Sequence, residues 1–352
     1  MANTPIRIGI LGLGFMGRTH LQALQALPRV EVAAVMSRNP KRLAGDLADV
    51  AGNLGTSGEV FDLSKCRKYT SPEELVADAN LDAIDICLPT HLHASLAIDA
   101  LARGKHVLVE KPMALDYTQS LRMCEAAEKH GRTLMVAHVL RFLGAYEELT
   151  RIVRAGRLGM VRSASFRRRT PVPTWGPWER DKSLGGGGVF DLLIHDVDIA
   201  ASLFGAPQAI SSTGYEDLAG GIDVVSSLFH GCRTENVTVS GGWFLEGQYP
   251  FSMQYTVMGD KAVVEYNSAG ANAVMLYASG GTTEIPLEPI GEAYEKQIGY
   301  FIDCCRTGRS PEICPPRESA LAVHLTRLIV DARERWGDKV PASPAAAQGA
   351  AK

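Results

Sequence analysis

The sequence lacks the features that define several large classes of protein. Its apolar runs fall far short of the ~20 residues needed to span a membrane, so no membrane partner is expected. The start, Met1-Ala2-Asn3-Thr4-Pro5, has no basic stretch followed by an apolar core, so no signal peptide is expected. Neither sign of charge is in excess. Lys plus Arg total 36 and Asp plus Glu total 39, a net charge of −3, which gives no bulk attraction to nucleic acid or to anionic lipid. The seven cysteines (66, 87, 124, 232, 304, 305 and 314) form no Cys-x-x-Cys pair. Cys304 and Cys305 are adjacent, which suits neither an ordinary disulfide nor a zinc knuckle. Most of the others lie in apolar runs. They read as free, buried thiols of a cytoplasmic protein.

What the sequence does have is apolar bulk and glycine. With 352 residues, 46% of them hydrophobic, it suggests about two domains with large cores and excludes a disordered chain. Its 35 glycines are roughly 10% of the residues, against about 7% on average, so where they fall is informative.

The first part of the chain alternates strand and helix. Residues 6–11 (IRIGIL), 30–36 (VEVAAVM), 83–88 (AIDICL), 106–110 (HVLVE) and 133–137 read as largely apolar strands. Helices over 18–27, 94–103 and 118–130 lie between them, and a further helix opens at Ser71-Pro-Glu-Glu74, with Ser as N-cap and Pro at the first helical position. This pattern predicts a parallel sheet covered on both faces. Segment 47–68 is poorly periodic and reads as an insertion, followed by a weak strand at 67–69.

After about residue 138 the pattern changes. A helix over 145–155, a strand over 161–169, a Pro/Trp-rich loop over 170–184 and a helix over 189–204 precede a run of strands between 209 and 285. Helices near 292–306 and 317–336 follow. This predicts an α+β domain with a mainly antiparallel, open sheet. The expected organisation is a Rossmann dinucleotide-binding domain over 1–138, an α+β substrate and oligomerisation domain over 139–340, and a disordered tail over 341–352.

Four motifs carry chemistry. Gly12-x-Gly14-x-x-Gly17, with Phe15 and Met16 inside it, sits between a strand and a helix at a position suited to a pyrophosphate. At the end of the second strand, where NAD-specific sites place a carboxylate, the chain has Ser37-Arg38, and no acid occurs between Glu31 and Asp46. A hydroxyl beside a guanidinium suits a 2′-phosphate, so NADP(H) is the preferred cofactor. NAD(H) stays open, since Arg38 can also stack on adenine. Glu110-Lys111-Pro112 follows a buried strand at the sheet edge where ligands bind, and Lys111 reads as an acid–base group or as a salt-bridged surface lysine. Gly185–Gly188 leads into Asp191, His195, Asp196 and Asp198. Asp191 and His195, four apart, share a helix face. They suit proton transfer near neutral pH, or else a capping acid beside a core histidine.

Together these pieces resemble the Gfo/Idh/MocA oxidoreductases, the group of glucose–fructose oxidoreductase and inositol dehydrogenase. GLGFMG (12–17), PTHLHA (89–94), GKHVLVEKP (104–112), RF (141–142) and GGGVFDLLIHDVD (186–198) carry the resemblance, which covers about residues 5–335. It implies Lys111, Asp191 and His195 as the catalytic group, and these three among the substrate contacts. It places Pro89, Thr90 and His93 on the nicotinamide side, with Glu110 beside Lys111. It further implies a sugar, polyol or inositol-like substrate, and an open sheet face used for a homodimer or homotetramer. Trp178, in the loop that also holds Trp175, packs on a sugar ring or covers a subunit interface. Arg167 and Arg169 share a strand face and either recognise an anionic substrate or form a solvated, ion-paired face.

The expected activity is therefore hydride transfer between nicotinamide and a CH–OH or C=O carbon, with no metal. Two other readings stand beside it. One is a dinucleotide-binding regulator without catalysis. The other is a metal-dependent hydrolase using His91, His93, His195, Asp196 and Asp198 as ligands.

Overall fold

In the computed structural model, the described residues are 4–50, 60–173, 177–244, 249–335 and 337–343. The chain forms two compact units. The first comprises the chain up to Phe142 together with Pro289–Ala320; the second comprises Leu143–Glu288 and the chain from Leu321 onward.

The first unit contains β1 (Ile6–Leu11), α1 (Phe15–Ala26), β2 (Val30–Met36), α2 (Pro40–Leu43), β3 (Arg67–Tyr69) and α3 (Pro72–Ala77). β4 (Ala83–Ile86), α4 (His93–Ala102), β5 (His106–Val109), α5 (Tyr117–His130) and β6 (Leu134–Val136) follow. The six strands form one sheet in the order β3-β2-β1-β4-β5-β6. Every pairing is parallel, and the order reverses at β1/β4, the point where such sheets bind ligands. Strands buried on both faces have no polar side to alternate with; β4, for example, is buried at each of its four residues.

The second unit contains α6 (Gly144–Arg154), β7 (Val161–Pro171), α7 (Gly188–Phe204), β8 (Ala209–Asp217), β9 (Ile222–His230) and β10 (Asn236–Phe244). β11 (Ser252–Gly259), β12 (Ala262–Asn267), β13 (Ala273–Ala278) and β14 (Gly281–Pro286) continue it. Its nine-stranded sheet runs β14-β13-β12-β11-β7-β10-β9-β8-β15, where β15 is Val340–Pro341. The β7–β10 pair is parallel and the other pairs are antiparallel. α7 lies against β10, β7 and β9. On β7, Ala164, Phe166 and Arg168 are buried on that side, while Ser163, Ser165, Arg167 and Arg169 alternate onto the open face.

Three features differ from the expected organisation. α8 (Gly291–Thr307) belongs to the first unit, because Tyr294, Ile298, Phe301, Ile302 and Cys305 pack into the same core as Ile8, Ile10, Leu21 and Leu108. Helical periodicity says that one face is buried, not in which core. Leu47, Val50, Phe61 and Leu63, inside the segment expected to be an insertion, also enter that core. Finally, Pro341 is not tail: β15 pairs with β8, and Ala342 N–H donates to the Gln208 carbonyl at 2.8 Å. The rest of the expected tail, 344–352, lies outside the described residues. The seven cysteines are free, four of them buried and Cys66, Cys87 and Cys232 half-buried.

Candidate active site

The glycine turn of the first unit is shaped by what its glycines exclude. Gly12 has φ +98°, and a Cβ there would strike the Cys87 carbonyl. A Cβ on Gly17 would strike the Gly12 carbonyl, so α1 can pack this closely only without one. Gly14 differs: nothing lies within 4 Å of where its Cβ would be. It is also the N-cap of α1, and neither a side-chain cap nor an acid in the first turn occupies that helix end. An uncapped N-terminus with open space before it fits a pyrophosphate. Phe15 and Met16 are partly buried against the core beside it.

At the end of β2, Ser37 is buried and its hydroxyl accepts the Asn39 N–H at 3.1 Å. Arg38 is exposed. Asn39 caps α2 by accepting the Lys41 N–H at 2.9 Å.

At the carboxyl edge of the same sheet, Pro89 caps the short 3-10 turn Thr90–Leu92 that enters α4, and Thr90 is buried. Lys111 is half-buried directly after β5. Its backbone N–H donates to Glu110 Oε2 at 3.0 Å. Glu110 in turn faces His20 of α1, with Nε2 3.0 Å from Oε1. The other ring nitrogen, Nδ1, is 2.9 Å and 3.1 Å from the two carboxylate oxygens of Asp85 on β4. Burial alone would depress the His20 pKa, but Asp85 and then Cys87 outweigh it and hold it well above the ordinary imidazole value. Burial would likewise raise Glu110, yet His20, Lys111 and the Lys111 N–H hold it below the usual carboxylate range. Carboxylates at both ring nitrogens call for a doubly protonated ring.

His93 is placed differently from expectation. Its Nδ1 is 2.8 Å from the Pro112 carbonyl and its Nε2 is 2.7 Å from the Leu88 carbonyl. Both nitrogens therefore face backbone, and the ring ties the end of β4 to the turn after Lys111 rather than offering a polar contact to a ligand. That also removes it from the metal-ligand set.

In the second unit, α7 is sunk in the core. From Gly188 to Ala200 the side chains that reach solvent are those of Asp191 and His195. The face arithmetic for these two holds, while Asp198 is buried instead. The helix is fixed from below by Arg168 of β7. Its Nε donates to Asp196 Oδ2 at 2.7 Å and its Nη2 to Asp196 Oδ1 at 3.1 Å and to Tyr146 Oη at 3.1 Å. The N-terminus of α7 is capped by Asp223, which accepts the Val189 N–H at 2.9 Å and is paired with Arg333. Gly188 lies against the Trp243 ring so closely that a Cβ would overlap it.

One expected substrate contact is not gathered at this helix face. Arg169 lies on the open face of the sheet, where it donates to Tyr249 Oη at 3.3 Å and sits 5.8 Å over the Phe244 ring. Period two explains it: Arg168 takes the α7 side, so its neighbours must point away. Trp178 is half-buried in the short turn Pro177–Arg180; Trp175 lies outside the described residues.

Comparison with known proteins settles the family. The family model described as oxidoreductase family, NAD-binding Rossmann fold, matches residues 6–138. The GFO/IDH/MocA C-terminal domain matches 146–265. The chain belongs to the Gfo/Idh/MocA oxidoreductase family. An uncharacterized oxidoreductase of Rhizobium meliloti is 31% identical over 242 residues, 67% of this chain and 68% of that protein. Inositol 2-dehydrogenase 2 of Saccharopolyspora erythraea is 30% identical over 72% of this chain and 71% of that one. Among solved structures, levoglucosan dehydrogenase in complex with NADH and levoglucosan shares the fold at TM-score 0.82 and 19% identity, covering 96% of this chain and 100% of that one. The protein is thus an oxidoreductase with an NAD-binding Rossmann domain.

Within this Gfo/Idh/MocA chain, sequence reasoning missed His20 and Asp85. The signal was there: Asp85 is a lone charge inside an apolar strand that must be buried on both faces, and His20 follows the third glycine by three residues. A buried carboxylate requires a partner.

Proposed function

We propose that the protein is an NAD(P)-dependent dehydrogenase that moves a hydride between nicotinamide and a CH–OH or C=O carbon of a sugar, an inositol-like polyol or a sugar derivative. The observation that carries this reading is the solvent face of α7, where an otherwise buried helix presents an acid, Asp191, and a base, His195. The inositol dehydrogenase relative and the levoglucosan-bound neighbour support the substrate class.

The bound nicotinamide supplies the hydride acceptor or donor. Gly12, Gly14, Phe15, Met16 and Gly17 hold the pyrophosphate at the N-terminus of α1, and Pro89 and Thr90 shape the nicotinamide side. During oxidation the His195 imidazole takes the proton from the substrate hydroxyl, and during reduction it returns it. Lys111 Nζ donates to the reacting oxygen and stabilises its developing negative charge. The Asp191 carboxylate orients a neighbouring hydroxyl of the substrate beside His195. The Trp178 ring covers the C–H face of the sugar. His195→Ala is expected to lower kcat about 10²- to 10⁴-fold and Lys111→Ala about 10²- to 10³-fold, measured as nicotinamide absorbance on a panel of sugars and inositols. Near-normal turnover in both folded variants would sink the assignment.

Ser37 and Arg38 favour NADP(H), with NAD(H) also accepted. The support is the carboxylate-free end of β2 and the exposed guanidinium beside it. Comparing kcat/KM for the two cofactors tests this. We expect a preference for NADP(H) that Arg38→Ala reduces about tenfold, the order of one charge-assisted hydrogen bond. A wild-type preference for NAD(H) would overturn it.

The open sheet face is read as a homodimer or homotetramer interface. Met258, Val263 and Tyr277 line up across β11, β12 and β13 on that face. Met258 and Tyr277 are 46% and 40% exposed, large apolar side chains for an uncovered surface.

A further inference from the structure

The chemistry proposed above uses Lys111 but leaves the buried charges behind it unexplained. Asp85 is fully buried in the middle of a parallel sheet, a costly place for a carboxylate. His20 is equally buried and comes from a different element, α1. Glu110, 5% exposed, comes from the end of β5. The three side chains therefore join α1, β4 and β5 at the carboxyl edge of the sheet, directly behind the glycine turn. The chain of contacts reaches the backbone of Lys111, whose N–H donates to Glu110 Oε2. The contact between His20 Nε2 and Glu110 is an ion pair rather than an aligned hydrogen bond. Cys87 Sγ lies 3.5 Å from the ring, and the Tyr294 ring of α8 packs with its centroid 6.3 Å away.

His20, Asp85 and Cys87 also offer one ligand atom each within 4.8 Å of one another, the spacing of a metal site. The chemistry of the donors points elsewhere. Both ring nitrogens already face carboxylates, and burial, reinforced by Asp85, pushes the Cys87 thiol well up, away from the thiolate a metal needs.

We propose that His20 is a positioning residue for Lys111: as an imidazolium between Asp85 and Glu110, it fixes the Glu110 carboxylate that anchors the Lys111 backbone at the ligand-facing edge of the sheet. The effect runs through Glu110, since His20 is buried behind the turn. The proposal rests on the reading of Lys111 as the donor to the reacting oxygen. A small displacement of such a donor is costly, on the order of 10²-fold per ångström in favourable cases.

The test is amide hydrogen exchange of the full chain, read by NMR at individual residues, with steady-state kinetics beside it. In His20→Gln the Lys111 amide is expected to exchange about tenfold faster or more, while amides in the centres of β1 and β4 keep their rates. In the same variant kcat is expected to fall about 10- to 100-fold with KM for the cofactor within about threefold, as for residues that orient a reacting group from behind. Unchanged Lys111 exchange in folded His20→Gln would overturn the proposal. So would faster exchange spread evenly over the first unit, which marks a general loss of stability. If His20→Gln does not fold, Glu110→Gln carries the same test from the other side of the contact, with the same two outcomes. Lys111→Ala separates the two claims: normal turnover there removes the catalytic reading of Lys111, whereas the exchange result stands or falls independently of it.

Discussion

Each unit buries a cation whose carboxylate partner is one residue away from a side chain proposed for chemistry, and the two cations differ. In the first unit the cation is His20, whose carboxylate partner Glu110 precedes Lys111. In the second it is Arg168, whose partner Asp196 follows His195. Arg168 makes a forked, two-bond contact with Asp196 and a third bond to Tyr146, so three elements, α6, α7 and β7, are locked by a group that cannot lose its proton. His20 joins three elements as well, but its charge is conditional on a proton. The comparison separates two ways of holding a reacting side chain from behind: one permanent and geometrically rigid, the other titratable. In both, the partner carboxylate has little freedom, because removing the cation leaves a buried charge with no compensation.

The largest effect on stability is expected in the rigid network. Arg168→Met keeps much of the side-chain volume but leaves Asp196 buried and uncompensated. Breaking a buried pair from one side costs about 3–5 kcal/mol. Chemical denaturation of the second unit's transition is expected to show a loss of that order. The paired change Arg168→Met with Asp196→Leu is expected to recover most of it, since a matched apolar pair carries no stranded charge. If the single variant loses less than about 1 kcal/mol, the value of an ordinary exposed pair, then Arg168 is not the anchor of α7 and the contrast between the two units disappears.

The elements of both networks were legible in the sequence to very different degrees. The strand order of the first sheet follows from apolar strands alternating with helices, and the glycine turn from its spacing. Asp191 and His195 were found together because period 3.6 puts residues four apart on one face, and the structure leaves those two side chains at the surface of α7. Arg168 was passed over in favour of Arg167 and Arg169. Three consecutive arginines say that one must face opposite to the other two, but not which face is the core; that depends on α7, far along the chain. The return of α8 to the first unit was equally hidden, since an amphipathic helix declares a buried face without naming its neighbour. His20 and Asp85 are 65 residues apart, and the contact depends on β1 and β4 being adjacent in the sheet. Only the topology brings them together, although a lone acid in a doubly buried strand already demanded a partner.

The titratable network makes a smaller but distinctive prediction, one that the arginine network cannot imitate. The His20 pKa in the folded chain is raised above its ordinary value near 6.5. A group with a raised folded pKa contributes stability that is fully present below the unfolded value and is lost as pH climbs through the folded one. Glu110 has the opposite sign: its depressed pKa contributes above the ordinary carboxylate value and is lost as pH falls through the folded one. The cluster of His20, Asp85, Cys87 and Glu110, closed on the α8 side by Tyr294, is therefore at full strength between these limits and weakens toward alkaline pH. Burial lowers the pKa of His93, His106, His230 and His324, so their contributions run the other way, disappearing as pH falls. Taking the difference in melting temperature between wild type and His20→Gln cancels them. That difference is expected to be greatest near pH 6.5 and to shrink as pH rises, by less than the Arg168→Met loss, while the gap between wild type and Arg168→Met does not shrink over the same range, because a stranded Asp196 carboxylate costs most where it is ionised. A His20 gap that holds constant or widens toward alkaline pH would mean that the ring is neutral in the folded chain. The two units would then differ in geometry alone, and not in the permanence of the charge behind their reacting side chains.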